Sequence, residues 1–251
     1  MSTNSLILGV GLAAGLLSAG WSHAAVLNAT YTPVPGSRGG MSAFVNFADE
    51  GVLDWALWEY SSSSSVPGTP TSSKADADYI GSAFAVGGSG ALRGARGTDL
   101  EVSTTPGQVA GQGRQVNGAI LNGQLRGSGA GVGLTITVPT TDLYVAKIYV
   151  GGYRTGDSPL VVELPGAAPV ELTAAFSDGD GTYKDAGILE VQFQADAVDG
   201  VANVLEFRIT LNPSTDSSSH VLLQGVTLIP EPASVGVLGL TGVALCRRRR
   251  M

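Results

Sequence analysis

Cysteine is almost absent. The 251-residue chain has one, Cys246, directly before a run of four arginines. The rest of the chain therefore has no disulfide and no thiol nucleophile, and packing alone must hold it together. Histidine is nearly as scarce, with His23 and His220 alone. A Ser-His-Asp triad would have to be built on His220, since His23 falls in the leader described below. His220 closes Asp216-Ser217-Ser218-Ser219-His220 at the start of a strand, and no glycine-flanked nucleophile elbow accompanies it. It reads as a strand-edge surface residue. Charged residues make up only 14% and aromatics 6%. Helix signals are scarce, and no repeat of propeller or solenoid period is found.

Glycine, serine and threonine are abundant. Apolar residues recur with period two, in runs broken by Gly, Pro, Asp or Ser, which is the pattern of half-buried strands. Strands are expected over 25–31, 41–47, 52–60, 79–86, 132–138, 143–150, 160–164, 170–176, 188–195, 201–211 and 220–229. Leu205, Phe207, Ile209 and Leu211 share one face of such a strand, with Glu206, Arg208 and Thr210 on the other. Leu53, Trp55 and Leu57 likewise oppose Asp54, Ala56, Trp58 and Tyr60. The glycine-rich stretch 87–133 carries only weak strand signals, at 100–104 and 119–125. Long loops and irregular strands over a sandwich edge are expected there. The fold class is all-β: a two-sheet antiparallel β-sandwich, jelly-roll-like, between a signal helix and a short C-terminal apolar helix.

Three segments follow. Residues 1–24 read as a secretory signal peptide, with an apolar core from Leu6 to Leu17 and small residues at Ser22 and Ala24 for a signal peptidase. Residues 25–229 form the sandwich domain. Residues 230–251 form a tail: Pro230-Glu231-Pro232, an uncharged apolar segment over 233–246, then Arg247, Arg248, Arg249 and Arg250. As a helix that apolar segment spans about 21 Å, short of a hydrocarbon core about 30 Å thick. The arginines act as a stop-transfer signal on the cytoplasmic side.

The tail resembles the PEP-CTERM sorting signal of bacterial exported proteins. The tripeptide, the short transmembrane run and the basic cluster occur in that order. The resemblance implies recognition by an exosortase, a membrane-embedded cysteine transpeptidase that cuts near the tripeptide. Pro230, Glu231, Pro232 and Arg247 to Arg250 would then be recognition residues, acted on rather than catalytic. It also implies export, transient retention at the inner membrane, and a final place in the cell envelope or outside the cell. A second resemblance rests on Val52-Leu53-Asp54-Trp55-Ala56-Leu57-Trp58, on Ala146-Lys147-Ile148-Tyr149-Val150-Gly151-Gly152-Tyr153 and on Phe176-Ser177-Asp178-Gly179. These are similar to a sandwich module common in bacterial exported and cell-surface proteins, often near carbohydrate-related domains.

Without leader and tail, 10 basic and 20 acidic residues remain, a net charge of −10. That balance argues against nucleic acid as a partner. Trp58 and Tyr60 share a face and offer an aromatic platform for a sugar ring; core packing is the competing reading. Trp55, between Leu53 and Leu57, reads as core. Asp54 and Glu59 lie beside the tryptophans but face opposite ways, which disfavours a glycosidase pair. Asp178, Asp180 and Asp185 fall in an oxygen-rich loop. It reads as a polar turn or a weak calcium site; Tyr183 and Leu189 stand where an EF-hand needs Gly and Glu, so it is not one. No other cofactor is implied. The expectation is a non-enzymatic envelope or matrix protein, with signal peptidase, an exosortase-like enzyme and exopolysaccharide as partners. A carbohydrate-binding module is the alternative, and a carbohydrate-active enzyme the second alternative.

Overall fold

The structure is a computed structural model. It describes residues 25–34, 43–48, 53–60, 65–87, 91–94, 100–115, 118–121, 129–138, 140–153, 155–176, 185–195, 204–211 and 219–231. The two expected terminal helices lie outside these residues. Among the described residues there are sixteen strands and no helix, numbered here in chain order.

The larger sheet runs β1 (Val26–Val34), β14 (Asp185–Gln194), β11 (Tyr144–Tyr153), β16 (His220–Pro230), β3 (Asp54–Leu57), β4 (Ser72–Ser73). Every pairing along it is antiparallel. β9 (Ala119–Leu121) joins β16 and carries β6 (Leu92–Gly94). The second sheet runs β13 (Val170–Ala175), β12 (Asp157–Glu163), β15 (Val204–Thr210), β10 (Gly131–Thr137), β5 (Phe84–Val86), again antiparallel.

Period-two alternation decides what lies between these sheets. Leu205, Phe207 and Ile209 of β15 are fully buried, as are Val132, Leu134 and Ile136 of β10. They share one cluster with Ile148 of β11, Leu189, Val191 and Phe193 of β14, and Val226 and Leu228 of β16. The two sheets thus close face to face over one apolar layer, which makes the molecule a β-sandwich.

A third layer covers part of the larger sheet from outside. β2 (Ala43–Asn46) pairs in parallel with β7 (Leu100–Ser103), which pairs with β8 (Arg114–Gln115). Val45, Phe47, Leu100 and Val102 form a second cluster with Val34, Leu57, Tyr149 and Ala186, all on the back of the larger sheet. The phenyl ring of Phe47 meets Tyr149 edge-on at 5.4 Å. The part of the glycine-rich region that forms β7 and β8 therefore belongs to a layer over a sheet face rather than an edge. Its alternation was weak because β7 is buried at all four positions. A strand covered on both sides carries no period-two signal.

Polar side chains organise the loop over 104–113. Glu101 is 3% exposed and accepts from the Gly111 and Gly113 amides, at 2.9 and 2.6 Å. Asn46 donates to the Thr105 and Gln108 carbonyls at 2.9 and 3.2 Å, and the Ser103 hydroxyl donates to the Gln108 side chain. These bonds give the loop's backbone the partners it would otherwise seek in water.

Among the described residues, three buried hydroxyls are left without a hydrogen bond, those of Tyr31, Ser158 and Thr227. Tyr31 of β1 packs edge-on against Phe176, ring centroids 6.2 Å apart, and its buried OH has no hydrogen-bond partner. Burial first, and the Asp185 carboxylate second, push its pKa far above the ordinary value. The unfolded chain releases this proton near pH 10, while the folded chain holds it to higher pH. Above about pH 10 the folded state binds more protons than the unfolded state, so stability falls as pH rises. Tyr31→Phe should flatten this alkaline decline and leave stability at pH 7 equal or slightly higher, because it removes an unbonded polar atom. Thermal midpoints of both proteins between pH 7 and 11 check it; parallel curves would refute the assignment.

Candidate functional site

The outer face of the larger sheet is half covered. Over β1, β14 and the start of β11 it is open, and there the sheet carries a shallow groove of about 170 Å³. Asn28, Ala29 and Thr30 come from β1, Glu190 and Gln192 from β14, Val145 from β11, and Glu231 from just beyond β16. Register explains their meeting. Asn28 stands opposite Gln192, and Gln192 opposite Val145; Thr30 stands opposite Glu190, and Glu190 opposite Lys147. Residues in such rows point to the same face. Opposite them, Leu189, Val191 and Phe193 fill the core.

The groove ends are fixed by local bonds. Gln194 donates to the Thr141 carbonyl at 2.8 Å. The Glu231 amide donates to the Leu143 carbonyl at 2.9 Å, which carries the chain on past β16 along β11. Two carboxylates, two amides and a hydroxyl thus surround one apolar side chain. Carboxylates accept hydrogen bonds, whereas amides and hydroxyls donate and accept. Such a set suits a neutral ligand rich in hydroxyl groups, with Val145 beneath its C–H surface. Among the described residues no group of three or more His, Cys, Asp or Glu is placed to hold a metal ion.

The residues expected from sequence fall elsewhere. Trp58 is no platform: it is fully buried in the main core, and its indole N–H donates to the Gly68 carbonyl at 2.7 Å. Tyr60 is half-buried against the same core, its hydroxyl bonded to the Pro67 and Thr69 carbonyls at 2.7 and 2.6 Å. Burial raises the Tyr60 pKa, and the Thr69 side chain offsets this in part. The shared face was correctly read, but it is the face turned toward the second sheet. Trp55, on the other face, is half-buried against Phe47, ring centroids 6.0 Å apart.

Asp54 is only 2% exposed. One oxygen accepts from the Tyr79 and Ile80 amides, both at 3.0 Å, and the other from Trp55 N–H at 2.7 Å. Its carboxylate is a backbone clamp, not a free acid. His220 opens β16 with its ring stacked on Tyr153 at 5.0 Å. Of the calcium candidates, Asp178 and Asp180 lie outside the described residues, and Asp185 is the first residue of β14, opposite Gly152. Of the sorting residues, Pro230 ends β16 opposite Tyr144 and Glu231 lines the groove. Pro232 and Arg247 to Arg250 lie outside the described residues.

No protein-family model matches the chain, and no curated protein matches it. Solved structures do. TmCBM61 in complex with beta-1,4-galactotriose aligns at 12% identity over 47% of this chain and 73% of its own, TM-score 0.31. CBM35 from Cellvibrio japonicus Abf62 aligns at 12% identity over 60% of this chain and 95% of its own, TM-score 0.29. The enzymatically active domain of Bacteriophage CBA120 tailspike protein 4 aligns at 13% identity over 55% of this chain and 19% of its own, TM-score 0.29. No groove residue is assigned through these likenesses.

Proposed function

We propose that the chain is an exported, non-enzymatic β-sandwich protein of the cell envelope or extracellular matrix, whose groove engages a neutral glycan. The groove carries the binding half of this reading: Asn28, Thr30, Glu190, Gln192 and Glu231 place hydrogen-bonding groups around Val145 on an open sheet face. The leader and the Pro-Glu-Pro tail support export and sorting. Buried Trp58 removes the aromatic platform, so hydrogen bonds would carry the affinity.

Glycan-array screening of the purified chain, followed by calorimetry on any hit, tests the binding half. Asn28→Ala combined with Gln192→Ala should weaken binding at least about tenfold, since each amide bond contributes about 1 kcal/mol. Neither residue belongs to the apolar core, so the melting temperature should stay unchanged. Undiminished affinity in the double variant would clear the groove of any role. Intact mass and fractionation of the protein from its native host test the export half. A species starting near Ala25 and ending near Pro230 is expected outside the inner membrane.

A further inference from the structure

The first two residues of the tripeptide that the sorting reading assigns to another enzyme are built into the sandwich. β16 does not stop short of it: Pro230 is the last residue of the strand and stands opposite Tyr144. The next residue, Glu231, donates its amide to the Leu143 carbonyl at 2.9 Å. Its side chain is half-buried and lines the groove with Asn28, Val145 and Gln192. The apolar tail segment begins at Ala233, so only Pro232 lies between the last anchored residue and that segment. One residue reaches about 3.5 Å, too little to loop into a cleft.

We propose that the folded sandwich gates its own sorting cut: the transpeptidase can grip the tripeptide only after the end of β16 peels away from β11. This rests on the sorting reading and deepens it. A catalytic cleft grips an extended backbone through free amides and carbonyls, and at the end of β16 the edge toward β11 and the Glu231 amide are already taken. In the cut itself, the enzyme's thiolate attacks a peptide carbonyl beside the tripeptide. The C–N bond breaks, the departing amine takes a proton, and the acyl group passes to water or to an acceptor amine. The rate then follows the population of the opened strand end whenever opening and reclosing are fast. A ligand seated in the groove beside Glu231 holds the end closed and slows the cut further.

Pulse–chase of the full chain in its native host tests this. The comparison is a variant with a flexible Gly/Ser linker of about eight residues inserted between Ile229 and Pro230. The linker lifts the tripeptide off the sheet, and its maturation should be at least about tenfold faster than that of the parent chain. Equal rates of cutting overturn the gate and leave the sorting reading standing. If neither protein is cut, the sorting reading fails and the gate with it. Hydrogen exchange on the purified parent chain gives an independent check. The Glu231 amide should exchange at least about tenfold more slowly than a free peptide; exchange at the free rate overturns the gate whatever the host shows.

Discussion

Trp58→Ala is expected to cost about 4 kcal/mol and to lower the melting temperature by about 10–15 °C. The side chain is wholly enclosed by the main core. Truncation removes most of a large apolar group from between two sheets whose strands are held by their own hydrogen bonds. Such a site cannot collapse, and the cavity adds to the lost transfer energy. The indole N–H also matters. Its acceptor, the Gly68 carbonyl, takes a second bond from the Ala83 amide at 2.8 Å, so Trp58 and Ala83 are tied to one point. Gly68 must be glycine there, since a Cβ would fall 1.7 Å from the Ala83 carbonyl oxygen. Trp58→Phe keeps part of the volume and loses the bond, so it should cost about half as much. Urea unfolding of the three proteins checks the order. A platform residue would behave otherwise: the alanine variant would fold with wild-type stability and lose glycan binding.

The second large effect is at Asp54. Asp54→Ala should cost about 3 kcal/mol, because it leaves the Tyr79 and Ile80 amides without their shared acceptor inside the protein. Ile80 also bridges to Ile136 of β10, in the opposite sheet. The carboxylate therefore fastens the segment that crosses from the larger sheet to the smaller. Asp54→Asn keeps an acceptor oxygen at one position and should lose about half of that stability. Equilibrium unfolding with the slope held constant measures both. A loss below about 0.5 kcal/mol for the alanine variant would mean that water replaces the clamp.

These two residues show what was legible in the sequence. The alternation around them was read correctly, with Asp54, Ala56, Trp58 and Tyr60 on one side. Which side faces the core was not. Asp54 made that face look polar, and its bonds to the Tyr79 and Ile80 amides, 25 and 26 residues away, and to the neighbouring Trp55 amide make its burial tolerable. β12, β15 and most of β14 were plain because each alternates between a wet and a dry face. β2 was expected, within 41–47, whereas β7 was obscure because both of its faces are buried. The groove was missed for a different reason. Asn28, Thr30, Glu190 and Gln192 occupy the outward positions of two expected strands, so their exposure was readable. That β1 pairs with β14, some 160 residues later, is a matter of topology, which local periodicity does not encode. A row of hydrogen-bonding residues at outward positions was the one available signal.

The half-covered sheet has a consequence for how the protein comes apart. The layer of β2, β7 and β8 holds on through its own small apolar cluster, separate from the one between the two main sheets. It can therefore detach as a cooperative unit of its own while the sandwich persists. Trp55, on β3, packs against the first of these units, while Trp58 lies inside the second. Neighbouring tryptophans at β3 are thus two separate optical reporters, one for the shedding of a cover and one for the melting of a core.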